Sequence, residues 1–119
     1  MNKKYLKLLT LLILFNSCGN TQDRKKATIE NFKEPFVDSL IPLPEKAYFV
    51  FYTKIKGYSN DTIRLNISSH ESKESNLNYY FIGDFENEIR LDYYGESNKY
   101  ITLYPYKATE GKIKLTYQL

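Results

Sequence analysis

Four stretches of this chain alternate apolar and polar side chains residue by residue, and that rhythm constrains the fold more than any other feature. Thr62 to Ser68 sets Ile63, Leu65 and Ile67 on one phase against Thr62, Arg64, Asn66 and Ser68 on the other. Glu88 to Tyr94 sets Ile89, Leu91 and Tyr93 against Arg90, Asp92 and Tyr94, and Tyr100 to Tyr104 places Ile101 and Leu103 together. Lys112 to Leu119 does the same with Ile113, Leu115, Tyr117 and Leu119. Side chains alternate across a strand, so each stretch predicts a strand with one buried face. Ala47 to Ile55 and Asn78 to Phe85 carry aromatics on both phases, which predicts central strands or strands covered on both sides. Phe36 to Pro44 contains two prolines. They forbid a helix and allow a covering first strand.

Turn chemistry separates these runs. Gly57-Tyr58-Ser59-Asn60-Asp61, Phe85-Glu86-Asn87-Glu88, Gly95-Glu96-Ser97-Asn98 and Ala108-Thr109-Glu110-Gly111 predict hairpin connections. The polar segment His70 to Asn76 predicts an exposed loop. No helical periodicity is present. The expected fold is therefore all-β: an antiparallel β-sandwich of six to seven strands, with immunoglobulin-like topology favoured and a small β-barrel as the alternative. The cysteine and tryptophan hallmarks of immunoglobulin domains are absent, so that topology rests on strand number and spacing.

The amino terminus follows different rules. Lys3, Lys4 and Lys7 surround an apolar run from Leu6 to Phe15, which stops at Asn16-Ser17-Cys18. A basic region, a short apolar core and a small residue before a cleavage point are the parts of a secretory signal peptide. At 1.5 Å per helical residue, about ten residues fall short of ~30 Å of hydrocarbon. Phe15-Asn16-Ser17-Cys18 resembles the lipobox of bacterial lipoproteins, with Ser17 and Cys18 on its usual choices and Phe15 and Asn16 departing from them. The resemblance covers residues 1 to 18. It implies cleavage before Cys18, a diacylglycerol on its sulfur and acylation of the new amino terminus by palmitate-like chains. Two or more chains at ~0.8 kcal/mol per buried methylene make a stable anchor. Gly19 follows the cysteine where some envelopes read Asp as an inner-membrane retention signal, so the resemblance implies the outer membrane. The expected organisation is a signal peptide over 1–17, a lipid-anchored flexible tether over 18–35 and a β-domain over 36–119.

Charge narrows the function. Three of the 17 basic residues (Lys3, Lys4 and Lys7) and none of the 14 acids precede Cys18, so the remainder is balanced at fourteen of each. Nucleic-acid binding needs a surplus of cations on one face, and none is available. The lone Cys18 leaves no partner for a disulfide within the mature chain. One histidine, His70, sits among serines in the polar loop and supplies neither a triad base nor a zinc set. The five glycines are scattered at turns and make no phosphate cradle. No enzyme activity, cofactor or metal is expected.

Three sets of residues remain as candidates. Tyr80, Tyr94, Tyr100 and Tyr104 lie on the phase opposite the aliphatic residues of their own strands, and Tyr48 and Tyr52 share a phase. In register they would form an aromatic platform for a sugar or a protein. Asp84, Glu86, Glu88 and Asp92 cluster along an expected hairpin, as acids do in weak calcium sites or in a plug for a basic cleft. Asp38-Ser39-Leu40 and Asp61-Thr62-Ile63 resemble the acceptor of general bacterial protein O-glycosylation, which implies modification at Ser39 or Thr62. The expected function is a lipid-anchored, non-catalytic envelope module for a protein or glycan partner. The alternative is an inhibitor or immunity lipoprotein that neutralises a toxin or a cell-wall lytic enzyme.

Overall fold

The computed structural model describes residues 23–69, 77–93 and 97–119. It contains six strands: β1 (Arg24–Ile29), β2 (Phe36–Leu40), β3 (Val50–Ser68), β4 (Asn78–Asp92), β5 (Lys99–Tyr104) and β6 (Gly111–Gln118). All pair antiparallel in one sheet, as the alternation requires. The strand β3 organises it. On one edge β4 pairs along nearly its whole length. On the other edge β6 takes Tyr52 to Ser59 and β5 takes Arg64 to Ser68. β1 then adds to β6 and β2 to β5, giving the order β1-β6-β3-β5-β2 with β4 alongside β3.

A register shift between Ser59 and Ile63 bends β3, and the two halves of the sheet face each other across one core. The result is a six-stranded antiparallel sheet nearly closed into a barrel. The all-β expectation is met. Its closure is the barrel alternative, with a single continuous sheet and a strand order set by β3, in place of two separate sheets of immunoglobulin-like topology.

The core is the inward phase read from the sequence. Phe51, Ile55, Ile63, Leu65, Ile67, Ile101, Leu103, Ile113, Leu115 and Tyr117 are buried, each side chain contributing roughly 1.5–3 kcal/mol by leaving water. Thr53, a polar side chain on β3's inward row, donates its hydroxyl to the Thr116 carbonyl at 3.0 Å.

Three expectations are corrected. Gly57 to Asp61 is not a hairpin turn, because β3 runs through it and joins two stretches read as separate strands. Gly57 is needed there for close approach: a Cβ would strike the Lys112 carbonyl oxygen and lie 2.9 Å from the Ile113 Cα. The bulge itself receives the β5–β6 connection, with Asn60 Oδ1 accepting from the backbone N–H groups of Thr109 (2.9 Å) and Glu110 (3.2 Å). Likewise Phe85 to Glu88 lies within β4, where Glu86 and Glu88 point outward between cationic neighbours rather than around a turn. Finally, β1 falls inside the expected 18–35 tether. Its inward phase begins with Lys25, whose ammonium reaches Asp38 at 3.1 Å across the gap between β1 and β2, so a polar sequence still builds a strand.

Candidate functional site

The bend in β3 decides which outward side chains meet. Arg64 is in register with Tyr80 of β4 on one side and with Tyr104 of β5 on the other, so the three form one row across three strands. The Arg64 guanidinium lies over the Tyr104 ring at 4.2 Å, a cation–π contact that holds the charge against the negative face of the ring. Tyr106 joins from the β5–β6 connection, its ring edge-on to Tyr80 at 5.9 Å. Lys107 places its ammonium 5.6 Å from the Tyr106 ring. Tyr80 and Tyr106 are 55% and 56% exposed, and Ile82 beside them is 61% exposed.

The position of Tyr106 is costly. The Ala108 N–H donates to the Pro105 carbonyl at 2.8 Å, closing a tight turn, and the Lys107 N–H ties that turn to Thr62 at 3.0 Å. Inside it Tyr106 takes φ 58°, a left-handed conformation that disfavours any side chain by roughly 1–2 kcal/mol and that glycine adopts freely. The tyrosine is held in this conformation with its ring 56% exposed.

Of the expected tyrosine face, the structure thus brings Tyr80 and Tyr104 together through Arg64. Tyr100 faces Ser39 and Ser68, one alternation step beyond Thr102 on β5. Tyr94 lies outside the described residues, as do Cys18, His70 and the loop over 70–76. Tyr52 sits in the other half of β3 under the Arg90 guanidinium, 4.8 Å away. Tyr48 donates its hydroxyl to Asp23 at 3.0 Å. Arg64, Tyr106 and Ile82 were missed in the sequence. The signal for Tyr106 was an aromatic immediately after Pro105 in a connection too short to bury it; Arg64 reads only as the polar phase of a strand.

Asp84, Glu86, Glu88 and Asp92 share the outward face of β4. They oppose a basic row: Lys56 faces both Glu86 on β4 and Lys114 on β6, and Tyr58 faces both Asp84 and Lys112. Glu86 receives Lys54 at 3.1 Å and Lys56 at 3.8 Å. The hydrogen bond from Lys54, aided by the charges of Lys56 and Lys54, holds its carboxyl below the ordinary carboxylate range. Glu88 meets Arg90 at 3.8 Å. With Glu86 matched by two lysines and Glu88 by Arg90, the row has less charge to offer a basic cleft. Among the described residues no group of three or more His, Cys, Asp or Glu side chains is arranged to hold a metal ion.

The two glycosylation tripeptides end in core residues, Leu40 and Ile63 being fully buried. Ser39 and Thr62 are half-buried in strands, so an enzyme reading the full tripeptide would have to act before the sheet closes.

A half-buried ionic group lies elsewhere, at the seam. Asp38 accepts hydrogen bonds from the Tyr117 hydroxyl, from Lys25 and from the Ser39 N–H at 2.8 Å. Burial alone would raise its carboxyl, but these donors outweigh burial and hold it below its usual value. Burial, reinforced by the Asp38 charge, pushes the Tyr117 phenol far up.

No protein-family model, curated protein or solved structure matches the chain.

Proposed function

We propose that this chain is a lipid-anchored, non-catalytic binding module of the bacterial cell envelope, held at the outer membrane through Cys18 and taking a protein or glycan partner on its tyrosine-bearing face. The observation that supports the reading best is the row Tyr80, Arg64 and Tyr104 with Tyr106 beside it. Here an exposed aromatic is kept in an unfavourable backbone conformation next to a second one, and cations flank both. Aromatic rings stack on the apolar faces of sugars and anchor protein partners, and neighbouring guanidinium and ammonium groups add hydrogen bonds to hydroxyl or carboxylate groups. The Tyr80 and Tyr106 rings are more than half exposed, which suits recognition of an extended surface rather than enclosure of a small substrate.

Replacing Tyr80 and Tyr106 with Ser tests this reading, because both rings are largely outside the core. The double variant should fold as the native protein does by circular dichroism and lose binding at least tenfold on a glycan array or in pull-down from envelope extract. Binding unchanged by the double substitution would contradict the assignment of this face.

A further inference from the structure

The end of the barrel where the described chain begins carries a second exposed apolar group of different character. Ile41, Leu43, Phe49 and Val50 are all exposed. Phe49, at 75%, is the most exposed large hydrophobic side chain among the described residues. All four lie between β2 and the first residue of β3, in a stretch with Pro42 and Pro44.

This stretch is pinned in place. The Lys46 ammonium contacts Asp23 at 2.8 Å. The Tyr48 hydroxyl donates to the same carboxylate at 3.0 Å and accepts from the Leu43 N–H at 2.9 Å. The Tyr48 ring packs edge-on against Tyr93 at 6.1 Å, and the Tyr93 N–H donates to the Phe49 carbonyl at 3.0 Å. Asp23 itself is buried, and its carbonyl accepts from the Leu119 N–H at 2.9 Å. The apolar group is therefore fixed to the residue from which the domain starts.

Asp23 follows Cys18 by five residues. Even fully extended, that link spans at most roughly 18 Å. A lipid on Cys18 therefore keeps the Asp23 end, with its apolar group, close to the bilayer surface. Exposed Phe, Leu and Ile with an adjoining Tyr and Lys form the side-chain set that partitions into the headgroup boundary, the apolar parts facing the acyl chains and the polar ends staying in water.

We infer that Ile41, Leu43, Phe49 and Val50 form a membrane-docking face that seats the barrel on the lipid bilayer. The inference rests on the anchor reading of Cys18. Docking fixes the orientation of the domain as well as its location. The tyrosine platform lies on the other arm of β3 from Phe49, and docking through the Asp23 end is expected to leave it in water.

The chain contains no tryptophan, which gives a clean probe. Phe49→Trp and Ile82→Trp, each in the full chain purified from membranes, are reconstituted into phosphatidylcholine vesicles with plain or brominated acyl chains. The expected result is a blue-shifted emission quenched more than twofold by brominated lipid for Phe49→Trp, with Ile82→Trp unquenched. If both variants float with the vesicles and neither is quenched, the anchor reading survives and docking is overturned. Quenching of both would overturn the assignment of docking to this one face. Failure of either variant to float with vesicles would refute the anchor, and docking with it.

Discussion

Asp38 is where a single side chain joins the two halves of the sheet. It sits on β2, yet its donors Lys25 and Tyr117 come from β1 and β6, and those strands belong to the opposite half. Removing one donor from a half-buried carboxylate leaves a charge short of partners, so Tyr117→Phe should destabilise the fold by about 1–3 kcal/mol at neutral pH. Chemical denaturation checks this, and unchanged stability would mean that the seam does not hold the sheet closed. The pH dependence follows from the same group. The Asp38 carboxyl is lower in the folded state than in the unfolded one, where it titrates at about 3.9. Its stabilisation is therefore present above pH ~4 and lost as pH falls through the folded value. The melting temperature should fall below pH 4, and Asp38→Asn should flatten that limb of the curve. At the other extreme, the raised Tyr117 phenol stabilises below the unfolded value of about 10 and loses that contribution as pH rises beyond it.

At the scale of elements, the strand phases were legible because burial of one face enforces period two. The inward rows of β5 and β6 are the alternating aliphatics of the sequence. Strand ends were less legible, because a residue that makes turns in isolation can serve a sheet. Gly57 permits β6 to approach β3, Asn60 holds the β5–β6 connection, and Glu86 answers lysines on its neighbouring strand. Polar β1 was hidden because its inward Lys25 is matched only by Asp38, thirteen residues away. The candidate site was half legible for the same reason. Tyr80 and Tyr104 carry the right phase, whereas their meeting at Arg64 depends on the bend in β3, which no local pattern encodes. Continuity of β3 predicts that Gly57→Ala, whose new methyl meets backbone, costs about 1–3 kcal/mol. A hairpin turn at this point would tolerate the methyl group, so an unchanged denaturation midpoint would contradict a strand that runs through residue 57 against β6.

At the scale of the whole molecule, the proposed function divides between two exposed clusters, one on each arm of β3. The end at Asp23 carries Phe49 and its apolar neighbours beside the link to Cys18, and the arm beyond the bulge carries Tyr80, Tyr104 and Tyr106. The charged outward face sets Lys54, Lys56, Arg90, Lys112 and Lys114 against Asp84, Glu86, Glu88 and Asp92, so opposite charges are interspersed and no strong single-sign field is offered to a charged partner. Everything in this arrangement presupposes a fatty-acylated cysteine at the start of the mature chain. Intact mass spectrometry of the protein extracted from native membranes tests that most directly. The expected result is a chain beginning at Cys18 with the added mass of a diacylglyceryl group and an amide-linked acyl chain. An unmodified Cys18, or a chain that still carries residues 1–17, would contradict it.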